Sequence, residues 1–197
     1  MDKKILVVAT GNAHKLREIA EIFDGCQVFS QREKGFDEDV EETGETFVEN
    51  ALIKARAAAN ALCCPVLADD SGLCVQALGG APGVHSARYA GGHGDDKANR
   101  ALLLKNMQGM KDRTAWFETA LAFVDPNGTE ITATGKTYGK ILYEEIGEHG
   151  FGYDSLFFSD DLQQSFAQAL PQDKNAVSHR GRALQALKEK LNGEGLL

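Results

Sequence analysis

Two segments of opposite character predict an α/β protein with a mixed β-sheet. Lys4–Ala9 (Lys-Ile-Leu-Val-Val-Ala) is a continuous apolar, β-branched run that suits a central strand buried on both faces. It passes through Thr10-Gly11-Asn12 into a segment with Leu16, Ile19, Ala20 and Phe23 at helical spacing, closed by Gly25. Strand, glycine turn and helix in succession belong to parallel architecture. Thr114–Val124 instead alternates, meets the turn Asp125-Pro126-Asn127-Gly128 and returns over residues 129–134, which reads as an antiparallel hairpin.

The elements between follow from local chemistry. Cys26–Ser30 is a candidate second strand. Residues 36–45 are acidic and include Glu41-Glu42-Thr43-Gly44-Glu45, a pattern that is by default a solvated loop. Thr46 with Glu49 forms a capping box opening a helix through Leu62, with Phe47, Ala51, Ala55, Ala58 and Leu62 as its apolar stripe and Asn50, Lys54 and Arg56 elsewhere on its surface. Residues 65–68 read as a short strand ending in Asp69 and Asp70, and Ser71-Gly72 supplies a turn. Side chains alternate along a strand, so the two carboxylates point to opposite faces. Residues 73–78 are a further strand candidate, and 79–83 a Gly/Pro loop. Residues 95–107 read as a helix. Ile141 to Tyr143 continue the sheet, 161–170 form a short helix ended by Pro171, and Ser178 caps a last helix with Leu184, Leu187 and Leu191 inside.

Composition narrows the function. The 197 residues fit one domain, or one large domain with a lobe, and 43% hydrophobic content supports a sizeable core. With 29 acidic against 21 basic residues the formal charge is -8, which opposes broad binding to a nucleic-acid backbone. It leaves room for a small polyanion carried with a metal. No apolar run is long enough to span a bilayer, and Met1-Asp-Lys-Lys lacks signal-peptide architecture. Cys26, Cys63, Cys64 and Cys74 include an adjacent pair and no Cys-x-x-Cys, so all four are expected reduced, as in a cytoplasmic protein.

Four stretches carry chemistry, each beside a plain alternative. The helix start at Thr10-Gly11-Asn12 offers unpaired N–H groups to a phosphate, with Lys15 one turn in; many such turns bind nothing. Asp69 and Asp70 suit a hard cation or an activated water, or are a solvated turn. Phe151 or Tyr153 can stack on a flat base and Asp154 can hold a sugar hydroxyl or a basic residue, or the two rings belong to the core. Arg88 is a phosphate clamp or an ordinary surface cation.

Six motifs occur in order: Thr10-Gly-Asn-x-x-Lys15, Glu41 to Ala51, Ala68-Asp-Asp-Ser-Gly-Leu73, Leu78 to Tyr89, Gly150-Phe-Gly-Tyr-Asp154 and Ser178-His-Arg-Gly181. Together they resemble the dITP/XTP pyrophosphatases, the inosine triphosphatase family, over about residues 4–191. The resemblance implies an elongated mixed β-sheet flanked by helices, two lobes with a central cleft, a single nucleoside-triphosphate pyrophosphatase domain over 1–197, and a homodimer. It implies magnesium-dependent hydrolysis of dITP, ITP and XTP or dXTP to the monophosphate and pyrophosphate, which cleanses the nucleotide pool. It implies no nucleic-acid or membrane partner. By the same resemblance Asp70 is the proton acceptor, and Glu41, Asp69 and Asp70 are metal ligands. Thr10, Gly11, Asn12, Ala13, His14 and Lys15 then form the triphosphate loop. Ser71, Phe151, Gly152, Tyr153, Asp154, Lys174, His179 and Arg180 are the remaining substrate contacts. His149, Ser155 and His85 depart from the residues usual in the family. The alternatives are a phosphatase releasing orthophosphate and a non-catalytic nucleotide-sensing module.

Overall fold

The computed structural model describes residues 3–92 and 94–196. Seven strands form one sheet in the order β2-β1-β3-β4-β5-β6-β7, with β1 Lys4–Ala9, β2 Cys26–Ser30, β3 Val66–Val75, β4 Thr114–Val124, β5 Glu130–Ile141, β6 Phe157–Ser159 and β7 Gln164–Ser165. β1 runs parallel to β2 and β3, whereas β5, β6 and β7 are antiparallel neighbours, so the sheet is mixed as expected. The helices are α1 Ala13–Ile22, α2 Phe47–Leu62, α3 Asp96–Asn106, α4 Pro171–Val177 and α5 His179–Gly193. No helix of the described residues is long and apolar enough to cross a membrane.

The chain divides into two compact units. The first takes the chain up to Asp70, Thr119–Gly135 and the chain from Gly181. Its core joins Leu6 and Val8 of β1, Ile19 and Phe23 of the α1 region, Leu67 of β3, and Leu184, Leu187 and Leu191 of α5. The three leucines of α5 recur at helical spacing, which is why that helix buries one face. The second unit takes Ser71–Glu118 and Lys136–Arg180. Its core is aromatic: Phe117 lies 4.8 Å from Phe157 and 6.0 Å from Phe166, among Leu73, Leu103, Met107, Ile141 and Tyr153. Arg113 donates from its buried guanidinium to the carbonyls of Ile141, Met107 and Leu142, which ties the end of α3 to the ends of β4 and β5.

Four local expectations are corrected. Ser71-Gly72 does not turn: β3 runs straight through both for ten residues, nearly all buried, because pairing within the sheet outweighs turn propensity. Glu130–Ile141 make one strand, since Gly135 and Gly139 sit within β5 rather than ending it. Residues 161–170 form no helix; they hold β7, and Pro171 opens α4 at a position where its missing N–H costs nothing. Ile5 is exposed, so β1 is covered on both faces only from Leu6 onward. All four cysteines are free; Cys74 is buried, which pushes its thiol up to about 12, whereas Cys63 is exposed.

Candidate active site

The first unit carries an acid–ammonium cluster. Asp69 and Asp70 are consecutive on β3 and therefore leave it on opposite faces. Asp69 meets α1, where Lys15 Nζ lies 2.8 Å from its Oδ2. Asp70 meets α2: Asn50 Nδ2 donates to Oδ2 at 3.2 Å, and Lys54 Nζ lies 3.4 Å from Oδ1. Lys54 also donates to Glu42 at 2.7 Å. Asn50 reaches the acidic loop too, for its Oδ1 accepts the Gly44 N–H at 2.8 Å. The capping box is present in full, with Thr46 and Glu49 bonding reciprocally, so the start of α2 and the loop before it are fixed relative to Asp70.

Asn50 and Lys54 are the residues that reading the sequence missed. Both fall outside the apolar stripe expected for the helix, yet Asn50 is fully buried and Lys54 largely so. The signal was available in the spacing. Positions 47, 50, 51, 54, 55 and 58 form one helical stripe, and an amide and an ammonium inside a stripe of alanines are out of place unless they have polar partners. Glu41, the expected metal ligand, is exposed on the acidic loop, and its neighbour Glu42 pairs with Lys54.

The electrostatics follow from counting charges. Glu42, Asp69 and Asp70 face Lys15 and Lys54, so carboxylates outnumber ammonium groups. Burial pushes the Asp70 carboxyl above its ordinary range, and Glu42 adds to this, against the opposing pull of Lys54, Lys15 and Asn50. Burial penalises Lys54 as well, but Asp70, Asp69 and Glu42 more than offset it and hold its ammonium above the ordinary value. Three carboxylates against two ammonium groups leave an excess of negative charge, which a further cation would relieve. Among the described residues no group of three His, Cys, Asp or Glu forms a preassembled cage. Magnesium uses one or two carboxylates, waters and substrate phosphates, so this hard-oxygen set fits it.

At the start of α1, Thr10 Oγ1 accepts the Asn12 N–H at 3.1 Å. Asn12 caps the helix by accepting the amides of His14 at 2.9 Å and Lys15 at 3.3 Å. Two first-turn amides are therefore already spent on the cap, and Lys15 is the strong positive element of this turn. Gly11, Ala13 and His14 are exposed at the same end.

The second unit carries a different set. Lys174 Nζ lies 2.7 Å from Asp154 Oδ2 and 4.8 Å from the centroid of the Phe151 ring. The same Asp154 oxygen accepts the Phe151 N–H at 2.9 Å. Gly150 and Gly152 both have positive φ, and a Cβ on Gly150 would run into the Asp154 carboxylate, so the tight loop requires glycine there. Arg180 Nη2 donates to Ser71 Oγ at 3.0 Å, and the ring of His179 stacks on Phe117 with centroids 4.9 Å apart. Tyr153 is buried in the core and its hydroxyl donates to the Ser86 carbonyl at 2.8 Å. Of the two candidate stacking rings, only Phe151 is partly exposed.

The sequence model of the Ham1 family matches residues 6–190. The chain belongs to the Ham1 family. A Clostridium perfringens protein named dITP/XTP pyrophosphatase is 46% identical over 96% of this chain and 98% of its own. A Geobacter sulfurreducens protein of the same name is 48% identical, covering 97% and 98%. The solved structure of the Staphylococcus aureus Ham1 protein superposes with a TM-score of 0.89 at 41% identity, covering 97% of this chain and 100% of that one. The Ham1 relationship therefore spans both units, including the acid–ammonium cluster and the Gly150–Asp154 loop.

Proposed function

We propose that this chain hydrolyses non-canonical purine nucleoside triphosphates (dITP, ITP, XTP and dXTP) to the monophosphate and pyrophosphate, with magnesium. Family membership and relatives named dITP/XTP pyrophosphatase support the substrate class. The observation that carries the chemistry is the Asp70 cluster, where a buried carboxylate of raised basicity sits between an amide and an ammonium group.

Asp70 accepts the proton of a water that attacks the α-phosphorus. The new bond joins the water oxygen to that phosphorus, and the bond to the bridging oxygen breaks, releasing pyrophosphate. A carboxyl held above its ordinary range is the stronger base at neutral pH. Asn50 keeps its other oxygen oriented. Lys15 and Lys54 stabilise charge on the phosphates; Lys15 exchanges Asp69 for a phosphate oxygen when substrate arrives. Glu41, Asp69 and Asp70 are the residues that would hold magnesium, with Glu42, paired to Lys54, as a further carboxylate beside them. Magnesium supplies neutralisation of the phosphate charge.

The second unit's set suits a purine. Phe151 offers a ring face, with Lys174 and Asp154 fixed beside it. Arg180 is a fork of donors suited to O6 and N7 of hypoxanthine or xanthine, whereas adenine presents a donor at the 6-position. Ser71 Oγ holds that fork at 3.0 Å. A homodimer in the cytoplasm, guarding the nucleotide pool, completes the proposal, and the free cysteines fit a reducing compartment.

The test is purified protein with magnesium and a panel of purine triphosphates, with both phosphate products measured. Pyrophosphate from ITP and dITP in preference to ATP and GTP is expected. Orthophosphate as the first product would make the chain a phosphatase, and tight ITP binding with no turnover would make it a sensing module.

A further inference from the structure

We infer that Asp96 and Arg100, on the first turns of α3, are positioning residues that set the purine-facing loop Gly150-Phe-Gly-Tyr-Asp154 from outside. The inference rests on the purine-binding reading above and adds residues that belong to neither charged set described there. Asp96 and Arg100 are four apart on one helix and so share a face. Both reach the same residue. Asp96 Oδ2 accepts the Gly152 N–H at 2.8 Å, and Arg100 Nη1 donates to the Gly152 carbonyl at 2.8 Å.

The clamp acts on the loop at its pivot. Gly152 lies between Phe151, which faces the Lys174 ammonium, and Tyr153, which is anchored in the core. Its φ of 60° is the left-handed conformation that lets the chain reverse there. Such a residue has more backbone freedom than any other type, so Phe151 would swing about it unless the flanking peptide groups were held. Asp154 holds the Phe151 N–H from within the loop. Asp96 and Arg100 hold the next two backbone groups from outside.

The clamp is itself braced. Arg100 Nε lies 2.9 Å from Glu145 Oε2, and the same oxygen accepts the Ser155 hydroxyl at 2.9 Å. Burial alone would push the Glu145 carboxyl up, but the Arg100 and Ser155 donors outweigh it and hold the group below its ordinary value. The helix that carries the clamp is also fixed. Asp95 caps it through the Ala98 N–H at 2.9 Å, and Asn99 accepts from Ala90 and donates to Ala87. Asp96 and Arg100 act on the Gly152 peptide groups and not on the Asp70 side chain or its partners, so the predicted effect is on base binding and not on the bond-breaking step.

The experiment compares wild type with Asp96→Ala, Arg100→Ala and Asp96→Asn, using ITP as substrate and pyrophosphate as an inhibitor that occupies only the phosphate end. Each alanine variant should raise KM for ITP roughly fivefold to tenfold, the scale of one hydrogen bond, with kcat within about twofold. The inhibition constant of pyrophosphate should stay at the wild-type value. Asp96→Asn keeps an acceptor for the Gly152 N–H and should restore KM. An unchanged KM in both alanine variants, a loss confined to kcat, or an equal weakening of pyrophosphate would each overturn the clamp. If Arg100→Ala fails to fold because Glu145 loses its partner, the two Asp96 variants decide alone. A wild-type protein that releases no pyrophosphate from ITP defeats the proposed function instead, so the two failures are distinct.

Discussion

Replacing Asn50 by Ala separates the geometry of the Asp70 site from its charge. Asn50 is fully buried and makes two bonds through one amide, accepting from Gly44 and donating to Asp70. Its removal strands the partly buried Gly44 N–H, which costs about 1–3 kcal/mol, toward the lower end because water can reach it. The lost donor to Asp70 adds about 1 kcal/mol, a modest figure because that bond is long at 3.2 Å. A total of about 2–4 kcal/mol is a large share of the stability of a domain this size. The second consequence concerns pH. The Asn50 bond pulls the Asp70 carboxyl downward against burial, so its loss lets the carboxyl rise further. A base with a higher pKa is unprotonated only at higher pH, so the acid limb of kcat/KM must move upward in the variant. Pyrophosphate release across a pH series, paired with urea denaturation, measures both. An acid limb that stays fixed or moves down, in a variant that remains folded, would refute the role assigned to this amide.

Other outcomes follow from the same structure. Asp70→Asn should lower kcat about 10²- to 10⁴-fold, the usual contribution of a general base, while calorimetry still detects ITP binding. Because burial holds the Asp70 carboxyl above its ordinary value, the native state binds that proton more tightly than the unfolded chain, and stability tied to it falls as pH rises through the window between the two values. The magnesium-free Asp70→Asn protein should therefore gain in Tm over wild type as pH rises from about 4 to about 7; a constant gap would contradict the burial argument. Arg180→Ala should narrow the ITP-to-ATP ratio of kcat/KM by about 1–3 kcal/mol, and an unchanged ratio would locate base reading elsewhere. Arg56→Ala breaks a two-bond pair with Glu130 that is largely solvent-exposed, so denaturation should register less than about 1 kcal/mol. Leu187→Ala, at a fully buried position, should cost about 2–5 kcal/mol by the same assay.

What could be read from the sequence was whatever a short window determines. The β1–α1 turn, the capping box at Thr46 and Glu49, and the hairpin at Asp125-Pro126-Asn127-Gly128 are local, and the structure has all three. The opposed directions of Asp69 and Asp70 followed from strand alternation alone, and Lys15 and Lys54 confirm it from two different helices. Failures occurred where distant pairing decides. Ser71-Gly72 is turn-like by type, but neighbouring strands keep it extended. Residues 161–170 have helical spacing, yet β6 and β7 pair there instead, with Gln163 at positive φ making the bend. The pairing of Glu42 with Lys54 was beyond reach for a similar reason. Which of two adjacent acids turns inward depends on Lys54, twelve residues along the chain.

The first unit's core has a consequence for biosynthesis. Leu6 and Val8 pack with Ala183, Leu184, Leu187 and Leu191, so β1 is completed only by α5, which is translated long after it. At cellular elongation rates the ribosome needs on the order of ten seconds or more to span that interval. Throughout it, the β1 surface that α5 will cover stays accessible to chaperones and to other nascent chains. The second unit takes nothing beyond Arg180, so all of its residues are translated before the leucine face of α5.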